Sequence, residues 1–151
     1  MKRTSLENEH CAVARSLDIL GDWWTLLIVR DALSGLRRFG EFQRSLGAAK
    51  NILTTRLRTL VAQGILETAP VEGSAYQEYL LTKKGRDLVP VLIALGQWSS
   101  AHVFKSDEIS FVPVDEPHRQ PLKPLLIQDS HGRVLGLDEV HFDTALSKQA
   151  Q

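Results

Sequence analysis

Lys50, Asn51, Thr54, Thr55 and Arg58 are spaced so that, on an α-helix, they share one face. The set holds hydrogen-bond donors, acceptors and two cations, with no acid and no nucleophile beside a base. Its chemistry is recognition. An asparagine amide can meet two atoms of an adenine edge at once, a threonine offers a hydroxyl or a methyl, and cations meet phosphate oxygens. Lys50, Asn51, Thr54 and Thr55 lie towards the start of that helix, where base edges are approached, whereas Arg56 and Arg58 are better placed for phosphates. A solvated helix face would use the same residue types, so the surroundings decide between the two readings.

Those surroundings are basic. Although the chain carries no net charge, residues 32–66 hold six basic and one acidic side chain, a local excess of +5. Residues 105–151 hold five basic and eight acidic, a deficit of −3. Segregation of this kind marks an electrostatic footprint that a summed charge hides.

The elements that must position the polar face follow from apolar spacing. AVARSLDIL (12–20) places Val13, Leu17 and Leu20 at helical intervals and ends at Gly21. Asp22 then reads as an N-cap for WWTLLIVRDAL, a run apolar on nearly every face that should sit at the centre of the core. Phe39, Phe42 and Leu46 define a short amphipathic helix, and Gly47 turns the chain. From about Ala49 to Gln63, Leu53, Leu57, Leu60 and Val61 form the buried stripe opposite the polar face, with Gly64 as the stop. ILETAPV and YQEYLLT read as a hairpin around Glu72, Gly73 and Ser74, whose Ser74, Tyr76 and Gln77 are further DNA-contact candidates. Thr82 caps a last helix with an apolar face of Leu88, Val91, Leu92, Leu95 and Trp98, in which Pro90 is a point of bending.

This order is that of a winged helix-turn-helix: an α+β fold, mostly α, whose domain spans residues 1–105. Prolines 113, 117, 121 and 124 make residues 106–151 a linker followed by a small tail hairpin, PLLIQD and RVLGLD flanking Ser130, His131 and Gly132. With 151 residues and 43% hydrophobic composition, the chain suits one domain with an appendage. No apolar run reaches the roughly 20 residues of a membrane span, and MKRTSLENEH lacks a secretory signal, so a cytoplasmic location is expected. The single cysteine excludes an intrachain disulfide and a cysteine-built metal site. His131 and His141 with Asp129, Asp138 and Asp143 fit no ligand spacing, so neither a metal nor a cofactor is expected. An enzyme is equally unexpected without a Gly-rich phosphate loop, a nucleophile elbow or a metal-binding helix motif.

Several of these segments together resemble the HxlR family of bacterial regulators, related to MarR-type regulators, over roughly residues 8–104. The resemblance rests on Cys11 followed by Leu17-Asp18, on Gly21-Asp22-Trp23, or Gly21 with Trp24, opening the second helix, and on Arg38-Phe39 with Glu41. It rests also on the LxxRLxxL pattern from Leu53 to Leu60 and on Glu78 to Thr82. It implies a homodimeric transcription regulator on an inverted-repeat operator in double-stranded DNA. The subunits would meet through the first and last helices, with Val13, Leu17, Leu20, Val91, Leu92, Leu95 and Trp98 at the interface. It also implies that Lys50, Asn51, Thr54 and Thr55 face the DNA and that Arg38 lies near the phosphates. Ala75 and Ala49 depart from the proline and serine that many members carry there.

Cys11 matches a thiol through which some members sense oxidants or electrophiles; others answer to a small-molecule effector. A reactive thiol needs exposure and a positive field, which His10 and Arg15 supply and Glu9 opposes. A winged helix used purely for protein interaction is the rival reading, and it calls for an apolar or acidic recognition helix. This one is basic and polar.

Overall fold

A computed structural model of the chain describes residues 4–108 and 112–143. The first three residues of the polar start and the tail beyond Asp143 therefore lie outside the described residues. Helix α1 (Ala12–Leu20) is followed by α2 (Thr25–Leu33), α3 (Phe39–Leu46) and α4 (Lys50–Ala62). Strands β1 (Leu66–Pro70) and β2 (Gln77–Leu81) form an antiparallel pair, registered Leu66 to Leu81 and Pro70 to Gln77. Helices α5 (Lys83–Arg86) and α6 (Val89–His102) come next, and a short 3₁₀ turn spans Leu137–Glu139. The chain divides into two compact units, one ending at Leu92 and the other beginning at Ile93.

The core of the first unit is built from Ile28 and Val29 of α2, Phe42 of α3, Leu53, Leu57 and Leu60 of α4, and Ile65 and Leu66 at the root of the hairpin. Phe42 is fully enclosed and meets Tyr79 edge-on at 6.4 Å between ring centroids. Fully burying side chains of this size contributes roughly 1.5–3 kcal/mol each, and this cluster ties α2, α3, α4 and the hairpin into one block.

Asp22 caps α2 as expected. Its Oδ1 accepts the backbone N–H groups of Trp24 at 2.8 Å and Thr25 at 2.9 Å, while the Thr25 hydroxyl donates to Oδ2. The expected central position of α2 needs correction. Ile28 and Val29 are enclosed, but Leu27 and Leu33 are exposed and Trp23, which precedes the helix, is 86% exposed. An all-round apolar run gives no angular signal, so it cannot say which side faces inward.

The single helix expected after Thr82 is two helices. The Thr82 hydroxyl does accept the Gly85 N–H, but α5 ends at Arg86 and α6 restarts at Val89 with Pro90 in its first turn. Proline has no N–H to donate and disfavours helical geometry in the residue before it, so it suits the opening turn of a new helix and not the interior of a continuous one. Leu88 and Leu92 pack against the core, whereas Val91, Leu95 and Trp98 remain exposed.

The tail hairpin also needs correction. Its turn exists, held by Asp129 Oδ1 accepting the N–H groups of His131 and Arg133 at 2.9 Å, and the flanking runs meet at the Gln128–Val134 bridge, where the Arg133 carbonyl accepts the Asp129 N–H at 3.0 Å and the Ile127 carbonyl the Leu135 N–H at 2.8 Å, but they do not extend into strands. A two-stranded ribbon needs a surface to pack on. Here Leu125, Leu126 and Ile127 are all exposed.

Candidate nucleic-acid interface

Helix α4 begins after Ala48-Ala49 and ends on Gly64, whose φ of 71° is a left-handed conformation suited to glycine. Its inner stripe of Leu53, Leu57 and Leu60 is 1% exposed at each position, so the helix cannot roll. Lys50, Asn51, Thr55 and Arg58 are exposed on the opposite side, with Thr54 partly shielded beside them. This is the face expected from the spacing. The Thr54 hydroxyl donates to the Lys50 carbonyl at 2.7 Å and that of Thr55 to the Asn51 carbonyl at 2.9 Å. Both hydroxyl protons are thus engaged, and the two threonines present outward a lone pair and a methyl.

Arg56 is placed apart from this group. It lies on the flank of α4 towards α2, its Nε 3.6 Å from Asp22 Oδ1. Burial pushes the Asp22 carboxyl upward, but the Thr25 hydroxyl, the Thr25 and Trp24 N–H groups and the Arg56 charge outweigh it and leave the carboxyl below its ordinary range. Arg56 therefore braces α4 against the start of α2.

The hairpin supplies a second surface. Gly73 at φ 73° makes the turn, Ser74 Oγ accepts the Tyr76 N–H at 3.1 Å, and Tyr76 projects 75% exposed. Between β2 and the first turn of α3 runs an open groove of about 690 Å³, lined by Arg37, Arg38, Arg44, Gly40, Tyr76 and Gln77 among others. Arg38, Tyr76 and Gln77 are among the residues expected to contact DNA; Arg37 and Arg44 line the same groove without having been singled out in the sequence. The signal available for them was the Arg37-Arg38 pair and Arg44 within one basic window.

Two acids, Glu41 and Glu78, also line the groove, and each is engaged. Glu41 Oε2 accepts the backbone N–H groups of Arg37 at 2.8 Å and Arg38 at 2.9 Å, bonds that hold its carboxyl below the usual range. Glu78 lies 3.9 Å from Arg37 Nη1. The Arg37 carbonyl in turn accepts the Tyr79 N–H at 2.7 Å, stitching the loop before α3 to β2. Arg38 and Arg44 have no hydrogen-bond acceptor for their guanidinium groups among the described residues. The groove therefore offers, beside a helix N-terminus, two guanidinium groups that feel the Glu41 carboxylate but are hydrogen-bonded to no acceptor among the described residues, an environment that favours a phosphate.

Of the residues expected at a subunit interface, Val13, Leu17, Val91, Leu95 and Trp98 are exposed, while Leu20 and Leu92 pack partly against the core. Cys11 is exposed at the N-cap of α1, and the neighbouring Arg15 turns its Nε to the Glu9 carbonyl at 2.6 Å. Among the described residues no group of three His, Cys, Asp or Glu side chains could hold a metal, and no helix is long and apolar enough to cross a membrane.

Comparison with known proteins places this geometry among relatives. A family model described as HxlR-like helix-turn-helix matches residues 19–107. An uncharacterised HTH-type transcriptional regulator of Mycobacterium tuberculosis is 41% identical over 93 residues, which cover 61% of this chain and 59% of that protein. The match thus spans less than two-thirds of that relative's own length. The crystal structure of PA1607, provisionally assigned as a transcription factor, is similar with a TM-score of 0.87 at 46% identity, covering 93% of this chain and 99% of that one. The reduced form of the redox regulator HypR is similar with a TM-score of 0.56 at 30% identity, over 60% of this chain and 92% of that one.

Proposed function

Because the chain belongs to the HxlR-like helix-turn-helix family, we propose that it regulates transcription as a homodimer that binds an inverted-repeat operator in double-stranded DNA. The observation that carries this reading is α4, fixed by three enclosed leucines on one side and presenting Lys50, Asn51, Thr54, Thr55 and Arg58 on the other. A helix so mounted fits the major groove, and two of them related by a two-fold axis enter successive grooves roughly 34 Å apart. The basic groove beside the hairpin takes the flanking backbone, adding Arg44 to Arg38. Val13 and Leu17 of α1 with Val91, Leu95 and Trp98 of α6 form the subunit interface, and a signal alters affinity by changing the distance between the two recognition helices.

The test is binding to the intergenic DNA upstream of its own gene across salt concentrations. Asn51→Ala is expected to relax sequence preference by roughly 1–3 kcal/mol at one base pair, whereas Arg58→Ala weakens all sequences alike and lowers the salt slope by about 1. Equal losses on every sequence from both variants would refute this division of labour. A winged helix devoted to protein interaction would show no salt-dependent DNA binding.

The likeness to HypR, a redox regulator, supports a second reading in which Cys11 is the sensor. Its exposure at the start of α1, beside the proposed interface, suits modification by an oxidant or electrophile, or a disulfide to a second copy. Diamide is then expected to change operator affinity of the native protein and to leave Cys11→Ser unaffected. A response that survives in Cys11→Ser removes the thiol from the mechanism and turns attention to a small-molecule effector.

A further inference from the structure

Helix α6 spans 14 residues without one Asp, Glu, Lys or Arg, yet none of them is buried. On its exposed side stand Leu95 and Trp98, 49% and 61% exposed. The tail that follows repeats the anomaly. Among its described residues, 112–143, none is buried, and Leu125, Leu126, Ile127, Val134, Leu137 and Phe142 are all exposed, Phe142 by 88%. Many of its charges are meanwhile paired with each other. Arg133 reaches both Asp129 and Glu139, Arg119 reaches Glu116, and His118 reaches Asp115. The tail is also pinned to α6, because the Gln97 side chain donates to the Lys123 carbonyl at 3.0 Å and accepts the Leu125 N–H at 2.9 Å. That amide fixes where the Leu125–Ile127 run leaves the helix.

We infer that this tail is a dimerisation arm whose apolar side chains pack against a second copy of the same chain; the inference rests on the homodimeric reading above. Two observations favour that occupant. The first is area. Within the second compact unit, the exposed parts of Leu95 and Trp98 amount to on the order of 250 Å², against roughly 800 Å² per partner in a standard stable interface. The exposed apolar residues of the tail, in the same unit, supply the remainder, so α6 and the arm together reach what α6 lacks. The second is complementarity. An arm that pairs many of its charges within itself and leaves its leucines exposed is matched by an apolar partner surface without Asp, Glu, Lys or Arg, and α6 of another copy is one. The family match ends at residue 107, before the arm, whereas the similarity to PA1607 extends over 93% of this chain.

The experiment is sedimentation equilibrium of the full chain and of the double variant Leu126→Glu/Phe142→Glu. The native chain is expected to be dimeric and the variant to dissociate on the order of 100-fold more readily. In a Cys11→Ser background, chains carrying Leu126→Cys mixed with chains carrying Leu95→Cys are expected to be joined into covalent heterodimers by a short bis-maleimide, a readout independent of how the charged variant folds. A native dimer whose dissociation is unchanged in the double variant, or a mixture of the two cysteine variants that yields no covalent heterodimer under the cross-linker, overturns the arm and leaves the homodimeric reading standing. A monomeric native chain overturns both.

Discussion

Gly85→Ala is expected to destabilise the first unit by about 3 kcal/mol, lowering the melting temperature by about 10 °C. Gly85 is buried where α5 crosses the root of the hairpin, and a Cβ added there would sit 2.3 Å from the Ile65 carbonyl oxygen and 2.8 Å from Leu81 Cδ2. The first of these atoms is backbone and accepts the Thr82 N–H at 3.1 Å, so it cannot step aside without losing that bond. Gly96→Ala is the matched control, because an added Cβ in α6 meets nothing within 4 Å. That change is expected to be neutral or to stabilise by roughly 0.5–1 kcal/mol, as alanine replaces glycine inside a helix. Thermal melts of the two variants that coincide would show that the crowding at Gly85 is relieved cheaply.

The second large effect concerns affinity. Arg38→Ala combined with Arg44→Ala is expected to weaken binding roughly 10- to 100-fold on operator and scrambled duplexes alike, and to lower the salt slope by about 2. The groove should otherwise keep its shape, since Glu41 accepts the backbone N–H of Arg38 and not its side chain. Titrations of both duplexes over a range of salt give the slope directly. An unchanged slope places the groove away from the DNA backbone, whatever happens at Asn51.

The recognition helix and the hairpin were legible in the sequence for physical reasons. Leu53, Leu57 and Leu60 recur at helical spacing and Gly64 closes the pattern, so the polar residues between them have only one side to occupy. The two strands differ from expectation by one residue at each end, the usual scale of fraying. What was not legible was orientation. The apolar run of α2 carries no angular information, so the exposure of Trp23 and Leu27 could not be read from it. The pairing of Arg56 with Asp22 was equally hidden, being a contact across 34 positions of sequence. The groove was hidden for the same reason, being assembled from the loop before α3 and a strand some forty residues later. In the tail, short apolar runs resembled strands, but such a run specifies a strand only when it has something to cover.

The junction around Thr82 bears on how any signal could be transmitted. The Thr82 hydroxyl accepts the Gly85 N–H while directing its own proton at the Gly64 carbonyl, and Lys84 Nζ donates to the Gln63 carbonyl at 2.6 Å. The end of α4, both roots of the hairpin and the start of α5 are thereby bolted at one point. Reading helix and wing are in this way joined into a single stylus. In the homodimer proposed above, an effector would then act on the separation of two such styli and not within either tip, and only half-sites at a matching spacing would accept both.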